Sequence, residues 1–144
     1  MGLEWEKAVR LTVACTVMLA ATFAQAQQWV PIADADGVTL AYDSSSVLKK
    51  NTVLQFWTVS NFKEPMMHPS SKKPFMSILT LDEVDCTAQT IRLATVIFKE
   101  KQDGLGALVD REIAMESTPM RRAPPGSVDF QIVRKVCNEK TAKP

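Results

Sequence analysis

Residues 91–99 read Ile91-Arg92-Leu93-Ala94-Thr95-Val96-Ile97-Phe98-Lys99. One alternating set is Ile91, Leu93, Thr95, Ile97 and Lys99, and the other is Arg92, Ala94, Val96 and Phe98, so both faces are largely apolar, as in a strand with neighbours on either side. Working outward, Phe75 to Leu81 is a second apolar segment; Ser77 and Thr80 lie within it, and Asp82, Glu83 and Asp85 lead from it into Cys86. Val38 to Tyr42 and Val53 to Val59 are β-branched or aromatic runs, joined by Asp43-Ser44-Ser45-Ser46 and Lys49-Lys50-Asn51 in the manner of a hairpin. Leu108 to Ser117 is a weaker strand candidate after the turn Gln102-Asp103-Gly104-Leu105-Gly106.

Beyond Pro124-Pro125-Gly126, Ser127 stands at an N-cap position, with Asp129 in the first turn and Arg134-Lys135 near the last. These residues predict a helix over Val128–Cys137 whose apolar face is Val128, Ile132, Val133 and Val136. Strands followed by one terminal helix make an α+β domain, a mostly antiparallel sheet packed by a C-terminal helix. The segment from Asn61 to Pro74 holds Pro65, Pro69 and Pro74 and is expected to be a mobile surface loop.

At the amino terminus Lys7 and Arg10 precede an uncharged apolar run, Leu11 to Thr22, and then Phe23-Ala24-Gln25-Ala26, with alanines at the two positions that signal peptidase inspects. Residues 1–26 are therefore expected to be a cleaved signal peptide and residues 27–144 one exported domain, periplasmic, secreted or at the cell surface. The apolar run is shorter than the roughly 20 residues of a membrane span, and no second run follows. Cys15 does not look like a lipid attachment site, since Thr12-Val13-Ala14 lacks the usual aliphatic residue at its first position. A formal net charge of +1 gives no pull toward nucleic acid. Of the three cysteines, Cys15 leaves with the signal, so Cys86 and Cys137 remain as the one intramolecular pair.

Taken in order, Trp29, Tyr42-Asp43 with Ser46-Val47, Trp57, Ser77, Asp85-Cys86, Arg92, Pro125-Gly126-Ser127 and Cys137 resemble the surface-adhesin protein E family. The resemblance implies a bacterial secreted or envelope domain with an antiparallel sheet, a flanking helix and a disulfide at the positions of Cys86 and Cys137. It also implies adhesion, the binding of host matrix and plasma proteins, as the activity of its best-known member.

No catalytic constellation or cofactor motif accompanies these features, so an enzyme is not expected. Asp82 and Glu83 point to opposite faces of a strand, and the acidic group with Arg92 reads as a structural ion pair or a solvated edge. Ser44-Ser45-Ser46 beside Asp43 reads as a turn bonding its own backbone. Phe56, Trp57 and Trp29 read as core or core-edge aromatics. His68, the only histidine, reads as a solvated loop residue; beside Met66-Met67 it offers the alternative of a Cu(I) site in a periplasmic copper-handling protein. A purely structural envelope protein is a further alternative. The preferred function is a non-enzymatic interaction domain whose protein or glycan partner meets the Pro-bounded loops. These are Lys63, Met66, Met67, His68, Lys72 and Lys73, helped by Arg121 and Arg122.

Overall fold

The computed structural model describes residues 26–115 and 118–141. Apart from Ala26, the expected signal peptide lies outside the described residues, as do Glu116 and Ser117 of the weaker strand candidate and the last three residues of the chain. The described residues form an antiparallel sheet of eight strands and one helix. The strands are β1 (Trp29–Ala35), β2 (Val38–Asp43), β3 (Leu48–Lys50), β4 (Val53–Met67), β5 (Pro74–Asp85), β6 (Thr90–Lys99), β7 (Leu108–Ile113) and β8 (Arg121–Arg122), followed by α1 (Val128–Thr141). The order across the sheet is β1-β2-β4-β5-β6-β7, with β3 paired to β4 and β8 to β6. The doubly apolar β6 lies inside the sheet, between β5 and β7.

Alternation sets one face of this sheet under α1. Leu54, Phe56, Val84 and Ile91 form a core with Leu40, Tyr42, Ile132, Val133 and Val136. Ser127 Oγ accepts the Phe130 amide at 3.1 Å, the expected N-cap. Two expectations for the helix need correction. Val128 is 57% exposed and does not join the apolar face. The helix also runs to Thr141 rather than to Cys137, which leaves Arg134 and Lys135 mid-helix. The added turn has an anchor: Glu139 pairs with Lys135 at 2.8 Å and accepts the Tyr42 hydroxyl from the sheet. The Cys86–Cys137 disulfide bolts helix to sheet across a Cα–Cα distance of 5.7 Å.

Strand β1 was not foreseen. It pairs with β2 through Asp36-Gly37, whose φ values of 54° and 77° are those of the two-residue turn that best matches the twist of paired strands.

The largest correction concerns residues 61–74. In place of a mobile loop, β4 continues to Met67 and β5 begins at Pro74, so the two strands form a long hairpin. The prolines fit because each sits where no ladder hydrogen bond is lost. Pro65 lies where the β4–β5 register shifts between Asn61 and Met66, Pro74 is the first residue of β5, and Pro69 is in the turn.

Candidate functional site

The hairpin tip is built around His68. Its backbone N–H donates to the Lys73 carbonyl at 2.9 Å, and its carbonyl accepts the Lys72 amide at 3.0 Å, which closes the turn. Lys72 takes a left-handed φ of 55° to do so. The His68 side chain is only 2% exposed, against the expectation of a solvated residue. Its ring packs edge-to-face on Phe98 at 4.5 Å and on Phe75 at 6.3 Å; those two rings meet each other, and Phe75 also meets Phe62. Nδ1 accepts the Ser71 amide at 3.1 Å, so the ring proton resides on Nε2, which lies 3.3 Å from Asp110 Oδ2 on β7.

His68 is thus a polar plug that ties the tip to the sheet. His68→Leu, which keeps the volume and loses both polar contacts, is expected to lower stability by about 1–2 kcal/mol and to speed hydrogen exchange at the Ser71 amide. Urea unfolding and amide exchange measure the two effects; unchanged exchange at Ser71 would remove the plug's role in shaping the turn.

Around this plug the outward residues are Lys63, Met66, Met67, Lys72 and Lys73, all exposed. Met66 and Met67 are 47% and 61% exposed, and as consecutive strand residues they point to opposite faces. With the imidazole turned inward and its nitrogens engaged, Met66, Met67 and His68 do not converge on one point, which removes the geometric basis for the copper alternative.

Arg121 and Arg122 do not join the tip. Strand β8 pairs with Thr90 and Ile91, at the end of β6 that faces Val84 and Asp85, whereas the tip adjoins Pro74 at the other end of β5. Arg121 there forms an ion pair with Asp129 at 2.5 Å. Sequence distance alone gave no sign of this separation, which follows from strand register.

The acidic group divides as alternation requires. Glu83 pairs with Arg92 on the sheet face away from α1, the structural ion pair expected. Asp82, in contrast, is buried on the helix side and accepts the Thr58 and Thr80 hydroxyls at 2.8 and 2.9 Å. Burial pushes its pKa up to about 6, against the pull of those two hydrogen bonds. Asp85, half-buried at the end of β5, is held below the usual carboxylate range, chiefly by the Ala88 amide and also by Thr52 and the Thr87 amide. The serine turn also forms as expected: Asp43 Oδ1 accepts the Ser45 amide at 3.0 Å, and Ser46 Oγ donates to the Asp43 carbonyl at 2.8 Å. Phe56 is fully buried, and Trp29 and Trp57 are half-buried at the core's edge.

Ser71, His68 and Asp110 stand in line. The Ser71 hydroxyl, 3.1 Å from Nδ1, competes with the Ser71 amide for that nitrogen's single lone pair.

The family model for surface-adhesin protein E matches residues 29–138. The chain belongs to the surface-adhesin protein E family. The match takes in Cys86, Cys137 and the whole hairpin tip. Among solved structures, Haemophilus influenzae protein E superposes with a TM-score of 0.56 at 15% identity, over 81% of this chain and 96% of that one. A structure of protein E from non-typeable Haemophilus influenzae gives 0.55 at 17% identity, over 81% and 88%. No curated protein sequence matches the chain. At these identities the likeness to protein E is one of fold: a mostly antiparallel sheet with a C-terminal helix.

Proposed function

We propose that this protein is an exported, non-enzymatic adhesion-type domain of the cell envelope or cell surface, and that it meets a protein or glycan partner with the β4–β5 hairpin tip. Membership of the surface-adhesin protein E family supports the adhesion-type reading and the exported location. So does the amino-terminal pattern of Lys7, Arg10, the apolar run and Ala24-Gln25-Ala26, read as a signal peptide cleaved after Ala26. Among the described residues, no helix is long and apolar enough to cross a membrane.

The observation that carries the tip as the contact surface is its contrast of inside and outside. A buried His68 with its aromatic neighbours holds the turn rigid, while Met66, Met67, Lys63, Lys72 and Lys73 are presented to solvent. A rigid platform lowers the ordering cost of binding, and thioethers beside ammonium groups suit a protein surface. Arg121 and Arg122, at the other end of the sheet, are not part of this surface.

The test is a quadruple variant, Met66→Ser, Met67→Ser, Lys72→Glu and Lys73→Glu, which leaves His68 in place. Against a partner captured by the purified domain from envelope or host-matrix fractions, affinity is expected to fall at least tenfold, about 1.4 kcal/mol, with the thermal transition nearly unchanged. Undiminished affinity would move the contact elsewhere on the sheet.

A further inference from the structure

The sheet face opposite α1 carries a groove that the tip does not share. Its floor is one cross-strand row: Leu48 pairs with Gln55, Gln55 with Glu83 and Glu83 with Arg92, across β3, β4, β5 and β6. These residues alternate with the core's Leu54, Val84 and Ile91, so they face away from the helix. The row is locked from within. Gln55 Nε2 donates to Glu83 Oε1 at 3.0 Å, Arg92 Nε pairs with Glu83 Oε2, and Arg92 Nη1 donates to the Thr118 carbonyl at 3.2 Å. The Glu83 charge is thereby neutralised in place.

A cavity of about 720 Å³ opens on one side of this row and one of about 360 Å³ on the other, and both are lined by Glu83 and Arg92, so they are two halves of a single groove. The halves differ in chemistry. Lys49 and Lys50 border the first, and neither has an ion-pair partner among the described residues, but Lys49 pairs with the core's Leu54 and turns to the helix side, so Lys50, on the face of Leu48, is the cation the groove presents. Leu93, Ile113 and Met115 line the second. These three are a third of the nine exposed large apolar side chains among the described residues, gathered at one end of the groove, with Leu48 at the other. A concentration of that kind on a surface marks a contact region more often than chance exposure does.

We propose that the groove receives an extended polypeptide segment with acidic side chains at one end, against Lys50, and a bulky aliphatic side chain at the other, among Leu93, Ile113 and Met115. From β3 to β7 the groove crosses five strands spaced about 4.8 Å apart, roughly 19 Å, which is the reach of about six extended residues. Charge complementarity selects acidic residues, because the groove's own carboxylate is already paired and the charge left over on its face, Lys50, is positive. A second copy of this chain fits poorly. A two-fold, face-to-face contact sets the lysine against the partner's lysine or against its aliphatic end, and neither arrangement supplies an anion. The groove is independent of the hairpin tip, since Glu83 lies nine positions along β5 from Pro74, about 30 Å.

The probe is a fluorescein-labelled heptapeptide, Asp-Glu-Ser-Gly-Ser-Leu-Ile, titrated with the domain and followed by anisotropy. Saturable binding is expected. It should weaken at least tenfold in Lys50→Glu and again in Ile113→Ser/Met115→Ser, and it should stay unchanged in Lys49→Glu, on the helix side, and in the tip variant described above. All four positions are exposed, so the thermal transition should hold; Lys50→Gln is the milder check, with a smaller loss in the same direction. Three results would overturn the proposal: no saturation below roughly 1 mM, a concentration weaker than most specific contacts; equal affinity for the charge-reversed peptide Lys-Lys-Ser-Gly-Ser-Leu-Ile; or self-association, seen by sedimentation, that Ile113→Ser/Met115→Ser abolishes. The last result would give the groove to a second copy of the chain.

Discussion

Replacing Cys86 and Cys137 together by serine is expected to lower the unfolding free energy by about 4 kcal/mol, the loop-closure value for a sequence separation of 51. For a domain of this size that is a fall in Tm of about 15 °C. The effect should fall unevenly. Cys86 follows directly on β5, and Cys137 lies on α1 among the residues that pack on the sheet, so the disulfide closes the one place where helix and sheet are joined covalently. Without it α1 keeps Ile132, Val133 and Val136 in the core and the Tyr42–Glu139 contact, so the helix should still dock. Urea unfolding of the exported protein before and after reduction measures the loss, and amide exchange shows where it falls. A loss below roughly 1 kcal/mol, well under the chain-entropy value, would mean that the unfolded chain already holds these segments together. Two free thiols in freshly exported material would mean that the bond does not form in the cell.

The parts of this fold that were legible in the sequence are those governed by local period. The alternation through Ile91–Lys99 identified an interior strand because burial on both faces leaves apolar residues at every position, and β6 is such a strand. The helix start was readable because Ser127 and Asp129 act within one turn. Its end was not, since the Tyr42 hydroxyl that holds Glu139 comes from the far part of the chain. Strand β1 did have a local signal, the Asp36-Gly37 pair, which is a hairpin turn once flanking strands are granted on both sides.

The tip shows why the candidate site was only half readable. Pro65, Pro69 and Pro74 argue against a continuous strand when taken singly, but whether a proline breaks a ladder depends on which residue it opposes, and that register is set by residues far away. His68 was misread for the same reason. Nothing next to it announces burial, because its neighbours Phe98 and Asp110 arrive from β6 and β7, which pair at that position. Exposure of Met66 and Met67 was legible only as that of a surface loop, and the structure reaches it by another route, with both on the end of a strand at the hairpin tip. The separation of Arg121 and Arg122 from the tip was not legible, for it depends on β8 pairing with the start of β6.

Asp82 is the second position where a large effect is expected, and here the substitution should stabilise. Its carboxyl is buried under the start of α1, where Thr58 and Thr80 donate to it, Asp129 opposes its charge and Arg121 favours it. Burial outweighs the donors, and the folded-state pKa stands at about 6 against an ordinary value of 3.8. The native state therefore holds this proton more tightly than the unfolded chain does. The group's stabilising contribution is fully present below pH 3.8, declines as pH rises, and is lost once pH passes about 6. At neutral pH the buried charge then costs on the order of 3 kcal/mol, from 1.36 kcal/mol per pKa unit. Asp82→Asn carries no charge, and its side-chain carbonyl can still accept from both threonines. The variant should exceed the parent in stability by about that amount at pH 7.5 and match it near pH 4. Urea unfolding at half-unit steps from pH 4 to pH 8 gives both curves, and the parent alone should lose stability through the interval between 3.8 and 6. A difference that is the same at every pH would mean that Asp82 ionises alike in the folded and unfolded chain, and that its burial under α1 carries no electrostatic cost.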